Sequence, residues 1–244
     1  MARLVTLSWP ALRWIPGSLV GIGLASILQV WVVRFVTPPW TLTMVQAGIE
    51  ARTLPRRRVA RLEALGEHGP RAFVASEDAR FYLHHGFDLE AICGAVRASL
   101  SGGRLRGGSS ISQQVAKNVF LWQGRSWLRK GLEAWYTVWL EVLLPKDRIL
   151  ELYVNVAQTG PHTFGLEAGS GLHFNKPAAS LSPGEAGRLA GILPDPTRSI
   201  SGGAARRRAS WIKANPAPFP GDPGYDLVLD AYRSRRHGLL SCLL

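Results

Sequence analysis

The longest apolar run of the chain comes near its start. Twenty uncharged residues, Trp14 to Val33, lie between Arg13 and Arg34. At a rise of about 1.5 Å per residue, roughly twenty residues cross a hydrocarbon core ~30 Å thick. The pattern therefore predicts a transmembrane helix over 14–34. Trp14 and Trp31 fall near its two ends, where interfacial aromatics are favoured. Pro16 and Gly17 lie in the first turn, where proline costs little. Val30-Trp31-Val32-Val33-Arg34 offers no small-x-small cleavage site, which speaks against a removable signal peptide. Arg3 and Arg13 precede the run and no acid occurs before Glu50. That charge bias predicts residues 1–13 on the cytoplasmic side and the body outside.

Beyond the run the periodicity changes. Pro38-Pro39-Trp40 stops any continuation, and Leu42, Val45 and Ile49 then repeat at helical spacing. Residues 35–70 read as a juxtamembrane segment carrying a short amphipathic helix and a basic patch, Arg56-Arg57-Arg58 with Arg61. From 71 onward helix follows helix, with expected spans near 70–83, 88–101, 110–122, 127–144, 147–157, 164–173, 182–192 and 206–214. No Asn-Gly hairpin or sustained alternation occurs, so few strands are expected. Residues 71–200 form the predicted body, and 201–244 a C-terminal helix and proline-rich tail. The fold class is mostly α.

Charge narrows the partners. The net charge is +12, carried by 24 Arg and 5 Lys. Guanidinium groups form bidentate contacts with phosphate more readily than ammonium groups do. The partners expected are thus anionic: nucleic acid, an anionic bilayer, or a phosphate-bearing substrate. Cys93 and Cys242 have nothing in their surroundings to pair them, so no disulfide is expected, and no Cys/His spacing matches zinc.

Four segments carry candidate chemistry. Ser76-Glu77-Asp78 follows the apolar run Ala72-Phe73-Val74-Ala75 and leads into Phe81, His84, Gly86 and Asp88. A carboxylate against apolar walls binds its proton more tightly, and such a base can take a proton from a sugar hydroxyl. Next, Gly107-Gly108-Ser109-Ser110 opens a helix, with Ser110 and Gln113 at capping-box spacing. Free N–H groups at a helix start attract phosphate. Ser110, Gln114 and Lys117 recur along one face and Ile111, Val115 and Val119 along another. This is no nucleotide-binding loop, because the Lys-Ser/Thr pair is missing from the required spacing. Third, Arg129 and Glu133 stand one turn apart beside Lys130 and are placed to pair. Fourth, Ile149, Leu152, Tyr153 and Val156 form an apolar stripe after Lys146 and Arg148, which reads as core supporting the site.

In this order the four segments resemble the peptidoglycan glycosyltransferases, most closely the monofunctional biosynthetic type. The likeness runs over roughly residues 35–214. It includes a fifth block, Phe164-Gly165-Leu166-Glu167-Ala168 through Phe174-Asn175-Lys176-Pro177 to Glu185-Ala186. It implies a lysozyme-like helical fold with a cleft beside a membrane-apposed lobe, in the bacterial inner membrane, with the catalytic domain on the periplasmic face. It implies polymerisation of lipid II into β-1,4-linked glycan with release of polyprenyl pyrophosphate. Glu77 would be the general base and Glu133 a second active-site carboxylate. Asp78, Phe81, His84, Gly108, Ser110, Gln114, Lys117, Asn118, Arg129 and Lys130 would bind substrate. Pyrophosphate would be held directly or through a divalent cation, Mg or Mn. The partners implied are lipid II, the growing strand and the bilayer, with other cell-wall synthases as candidates and no nucleic acid. Ser110 stands where threonine is common, and Gln158 where an acid is often seen.

Two alternatives use the same features differently. A lysozyme-like lytic glycosidase would also place carboxylates in a helical cleft. It has no pyrophosphate to hold, which leaves Lys117 and Arg129 without a purpose. A non-catalytic basic membrane protein accounts for the charge and leaves the paired carboxylates unexplained.

Overall fold

The computed structural model describes residues 15–102, 109–124 and 126–236. It is mostly helical. In chain order come α1 (Ile15–Val33), α2 (Leu42–Ala51), β1 (Arg56–Arg57), a 3-10 turn (Leu62–Leu65), α3 (His68–Glu77), α4 (Leu89–Leu100), α5 (Ile111–Phe120), α6 (Trp127–Leu143) and α7 (Lys146–Val156). Then follow β2 (Gln158–Gly160), β3 (Thr163–Phe164), α8 (Leu166–Phe174), a 3-10 turn (Ala178–Ser180), α9 (Pro183–Gly191), α10 (Gly203–Ala214) and α11 (Tyr225–Arg236). The strands form a small sheet in the order β1-β3-β2, with β1 parallel and β2 antiparallel to β3.

Helix α7 is the centre of the fold. Ile149, Leu150, Leu152, Tyr153 and Val154 are all essentially inaccessible, so most of the helix surface through its middle is apolar and buried, with Glu151 on the remaining side. Burying each such side chain contributes roughly 1.5–3 kcal/mol. Asn155, the polar residue of this helix that is buried, is fully satisfied. Its amide oxygen accepts the Ala60 N–H (2.9 Å), and its amide nitrogen donates to the carbonyls of Ala60 and Glu151 (2.8 Å each). That exchange clamps the chain after β1 onto α7. Helix α5 packs on both α6 and α7, while α3 packs on α9, and α9 on α10.

The helix expected over 70–83 stops at Glu77. The cause is Asp78, whose side chain leaves the helix to bond elsewhere. A tight loop follows, and its turn requires glycine: Gly86 has φ +79°, and an added Cβ would meet the Thr137 side chain at 2.8 Å. Within the C-terminal stretch Tyr225–Arg236 is a helix, and 237–244 lie outside the described residues. Cys93 is disulfide-bonded, which corrects the expectation of unpaired cysteines.

Helix α1 has 19 residues and carries no charged side chain. Counted over the described residues, no helix is long and apolar enough to cross a membrane. Helix α1 lies along α6, with Val30 and Val33 buried in the shared core. Polar bonds cross the seam: Trp135 Nε1 donates to Ser26 Oγ (2.8 Å) and Tyr136 Oη to Gln29 Oε1 (2.7 Å). Its opposite side leaves Val20, Ile22, Leu24 and Leu28 exposed. Helix α2 likewise exposes Leu42, Val45 and Ile49, the three positions whose spacing predicted it.

Candidate active site

Two carboxylates at the end of α3 organise the site, and they do different work. Asp78 is buried and acts as a joint. It accepts the Ile111 N–H, the first of α5, at 2.9 Å, and pairs with His84 Nε2 at 2.9 and 3.0 Å. A charged acceptor at a helix start is favourable for that helix. The bond fixes where α5 stands relative to α3. Ser110 caps the same helix. Its hydroxyl accepts from the Gln113 N–H (3.2 Å) and donates to the Gly86 carbonyl, and Gln113 returns a bond to the Ser110 N–H (3.0 Å).

Glu77, one residue earlier, is half-buried and faces the opposite way, into the cleft. Its Oε2 accepts a hydrogen bond from Gln114 Nε2 at 3.0 Å. Burial pushes its carboxyl above the ordinary range, and the Gln114 bond and the positive charges of Arg208 and Lys117 pull it part of the way back. One turn along α5 from Gln114 stands Lys117. Its ammonium has no hydrogen-bond or ion-pair partner among the described residues, and burial lowers its pKa. Glu133 and Glu77 oppose that lowering, while Arg129 and Lys130 add to it.

Glu133 lies on α6 and is 3% exposed. Arg129 holds it at 2.7 Å and Lys130 binds its other oxygen. The predicted i,i+4 pair is thus present, as part of a triad. Arg129 is fixed further by its Nε bond to the Gly124 carbonyl (2.8 Å). Two cavities meet this arrangement. One, of about 480 Å³, is lined by Gln114, Lys117, Asn118, Tyr153, Glu50 and His162. The other, of about 320 Å³, is lined by Glu77, Asp78, Arg80, Asp88 and Ser110. The Glu77–Gln114 bond joins the wall of one to the wall of the other.

Glu77, Asp78, Ser110, Gln114, Lys117 and Asn118 therefore all line these cavities, and Glu133, Arg129 and Lys130 surround Lys117. Gly108 lies outside the described residues. Two predicted binding residues are enclosed in the fold. Phe81 is fully buried, with Lys146 4.4 Å above its ring, and His84 is 1% exposed behind Asp78. Neither lines the two cavities described, and both belong to the loop that follows Asp78. Arg208 went unnoticed in the sequence. Its guanidinium donates to the Ser76 carbonyl and stacks 4.4 Å from the Trp211 ring, placing a positive charge beside Glu77. Tyr153 also belongs to the cavity wall, within electrostatic reach of Glu77.

A divalent cation does not fit the acidic groups found. Asp78, His84 and Asp88 bring ligand atoms within 4.8 Å of one another. Those atoms are already engaged, and Arg80 sits 2.8 Å from Asp88, which repels a metal. Both Glu133 oxygens are taken by cations.

A desolvated carboxylate thus lies at the junction of two cavities in a helical fold, within electrostatic reach of a lysine that has no ion-pair or hydrogen-bond partner among the described residues. The chain belongs to the transglycosylase family, whose profile matches residues 46–215. It is similar to the "Biosynthetic peptidoglycan transglycosylase" of Xanthomonas euvesicatoria pv. vesicatoria, at 47% identity over 83% of this chain and 85% of that protein. It is also similar to proteins of the same name from Xanthomonas axonopodis pv. citri, at 45% identity over 88% and 90% of the two chains, and Xylella fastidiosa, at 44% over 90% and 94%.

Proposed function

We propose that this protein is a peptidoglycan glycosyltransferase that polymerises lipid II. Glu77 takes the proton from the 4-hydroxyl of the incoming N-acetylglucosamine. The freed oxygen attacks the anomeric carbon of the growing strand, forming the β-1,4 bond with inversion. The bond from that carbon to the lipid pyrophosphate breaks, and the pyrophosphate leaves with the electron pair. Lys117, without a partner among the described residues, meets the developing charge, with Arg129 and Lys130 behind it. Gln114 and Asn118 orient sugar and phosphate groups, and Gln114 holds the Glu77 carboxylate toward the hydroxyl. Asp78 and Ser110 position the start of α5. Glu133 neutralises and orients its two cations. No step needs a metal held by these residues.

The observation that carries this reading is the unpartnered Lys117 ammonium within electrostatic reach of the desolvated Glu77. Cutting finished glycan would give that cation nothing to do. The test is incubation of the full-length protein with lipid II and, separately, with purified cell wall. Polymer from lipid II, lost in Glu77→Gln, is the expected result. Release of sugar from finished wall, with no polymer from lipid II, would overturn it.

The same reading extends to the bilayer. We infer that residues 14–34 anchor the chain in the inner membrane, with 1–13 cytoplasmic and the body on the periplasmic face. Helix α1 supports this through its lack of charge and its exposed apolar side, and a disulfide-bonded Cys93 suits an oxidising compartment. The exposed residues of α2 in the 35–70 segment would rest on the same surface. The transferase body would occupy 71–200, followed by 201–244. Other cell-wall synthases are natural partners for such a strand-producing enzyme.

A further inference from the structure

We propose that residues 216–236, which follow the transglycosylase match, brace the segment carrying Glu77, with Phe219 and Asp222 as positioning residues for glycosyl transfer. The proposal rests on the reading of Glu77 as the base.

The contacts of this stretch fall on both sides of Glu77. Ahead of it, Asp222 grips Arg71 in the first turn of α3 through two bonds, 2.7 and 2.9 Å. Asp222 is itself oriented by the Phe219 N–H at 3.0 Å. The Arg71 guanidinium lies 4.5 Å from the Phe219 ring. Beyond Glu77, the same Phe219 ring packs against Tyr82 with centroids 4.8 Å apart, and Tyr225 Oη donates to the Tyr82 carbonyl at 3.2 Å. Tyr82 in turn donates to Asp147 at the start of α7 (2.8 Å). Buried Tyr232 lies within electrostatic reach of Arg80, which holds Asp88 and Glu90 at 2.8 Å each.

One short piece of chain thus fastens the front of α3 and the loop after it. Asp78 sits between those fastenings and sets the height of α5 against α3. A slackened loop would let Glu77 shift against Gln114 and Lys117. Small displacements of reacting groups cost rate steeply, about a hundredfold for 1 Å. The Arg71–Asp222 pair is partly exposed, at 38% and 30%, and such pairs add little to global stability. Its loss should therefore appear in turnover before it appears in unfolding.

The test compares full-length wild type with Asp222→Ala and Phe219→Ala on lipid II, alongside Asp222→Glu, Phe219→Tyr and the Glu77→Gln control. The expected result is a kcat lowered roughly tenfold by each alanine, with KM within about twofold, an unfolding midpoint within a few degrees, and recovery in the conservative variants. An unchanged kcat overturns the proposal. So does a kcat loss that follows the fraction of unfolded protein, or one that the conservative variants fail to restore. If Glu77→Gln keeps full activity, the base assignment is what has failed.

Discussion

Replacing Glu133 with glutamine tests the cationic side of the site most directly. The substitution keeps shape and removes one negative charge from a position 3% exposed. Arg129 is left 12% exposed at its side chain with its main partner neutral, whereas Lys130, at 43%, can turn toward water. Breaking a buried ion pair costs about 3–5 kcal/mol, and the freedom of Lys130 argues for the lower end, ~3 kcal/mol. For a chain of this size each kcal/mol moves the midpoint by about 2–4 °C, so a drop of roughly 6–12 °C is expected. A second effect falls on Lys117. Glu133 supports its protonated form, against burial and the neighbouring cations. Without Glu133 the ammonium loses its proton at lower pH, so the alkaline limb of polymerisation moves to lower pH. The assays are scanning calorimetry in detergent and initial rates of lipid II consumption from pH 6 to 10. A midpoint within a degree of wild type, together with an unmoved alkaline limb, would refute the triad.

Three further outcomes follow from the same geometry. Lys117→Met should lower kcat by roughly 10²–10³, as loss of a donor to a developing charge does; lipid II titrations should show a smaller change in KM, and retention of kcat would exclude Lys117 from leaving-group stabilisation. Arg208→Gln removes a charge that lowers the Glu77 pKa, so the acid limb of kcat/KM should shift to higher pH, and a shift the other way would contradict the placement of Arg208. Glu77→Gln should stabilise the protein at neutral pH by about 1–3 °C. In the folded chain Glu77 binds its proton more tightly than at its ordinary 4.5, so stability is fully present below that pH and is lost as pH rises through the folded value. The amide escapes that loss, and the difference in midpoint should vanish below pH 4.5.

Local features were legible in the sequence because they involve neighbours in the chain. The Ser110–Gln113 capping box, the Arg129–Glu133 pair and the buried stripe of α7 all follow from spacing along one helix. The role of Asp78 was not legible, because its partner at Ile111 is remote in sequence and is brought near only by packing. For the same reason Arg208 escaped notice, reaching α3 from α10. Phe81 and His84 share a segment with Glu77, and spacing alone does not separate a side chain that lines a cavity from one that supports it. The order of 216–236 depends on Phe219 and Tyr225 finding Tyr82, and proline-rich composition conceals such contacts.

Helix α6 has two neighbours that matter. One side is bolted to α1 through Ser26 and Gln29, while Glu133 on the same rod grips the cations of the cleft. Helix α1 is therefore no slack tether. Its place beside α6 is set by side chains wedged between two rods, and swapping the linker at Pro38-Pro39 for a longer one would leave that seam intact.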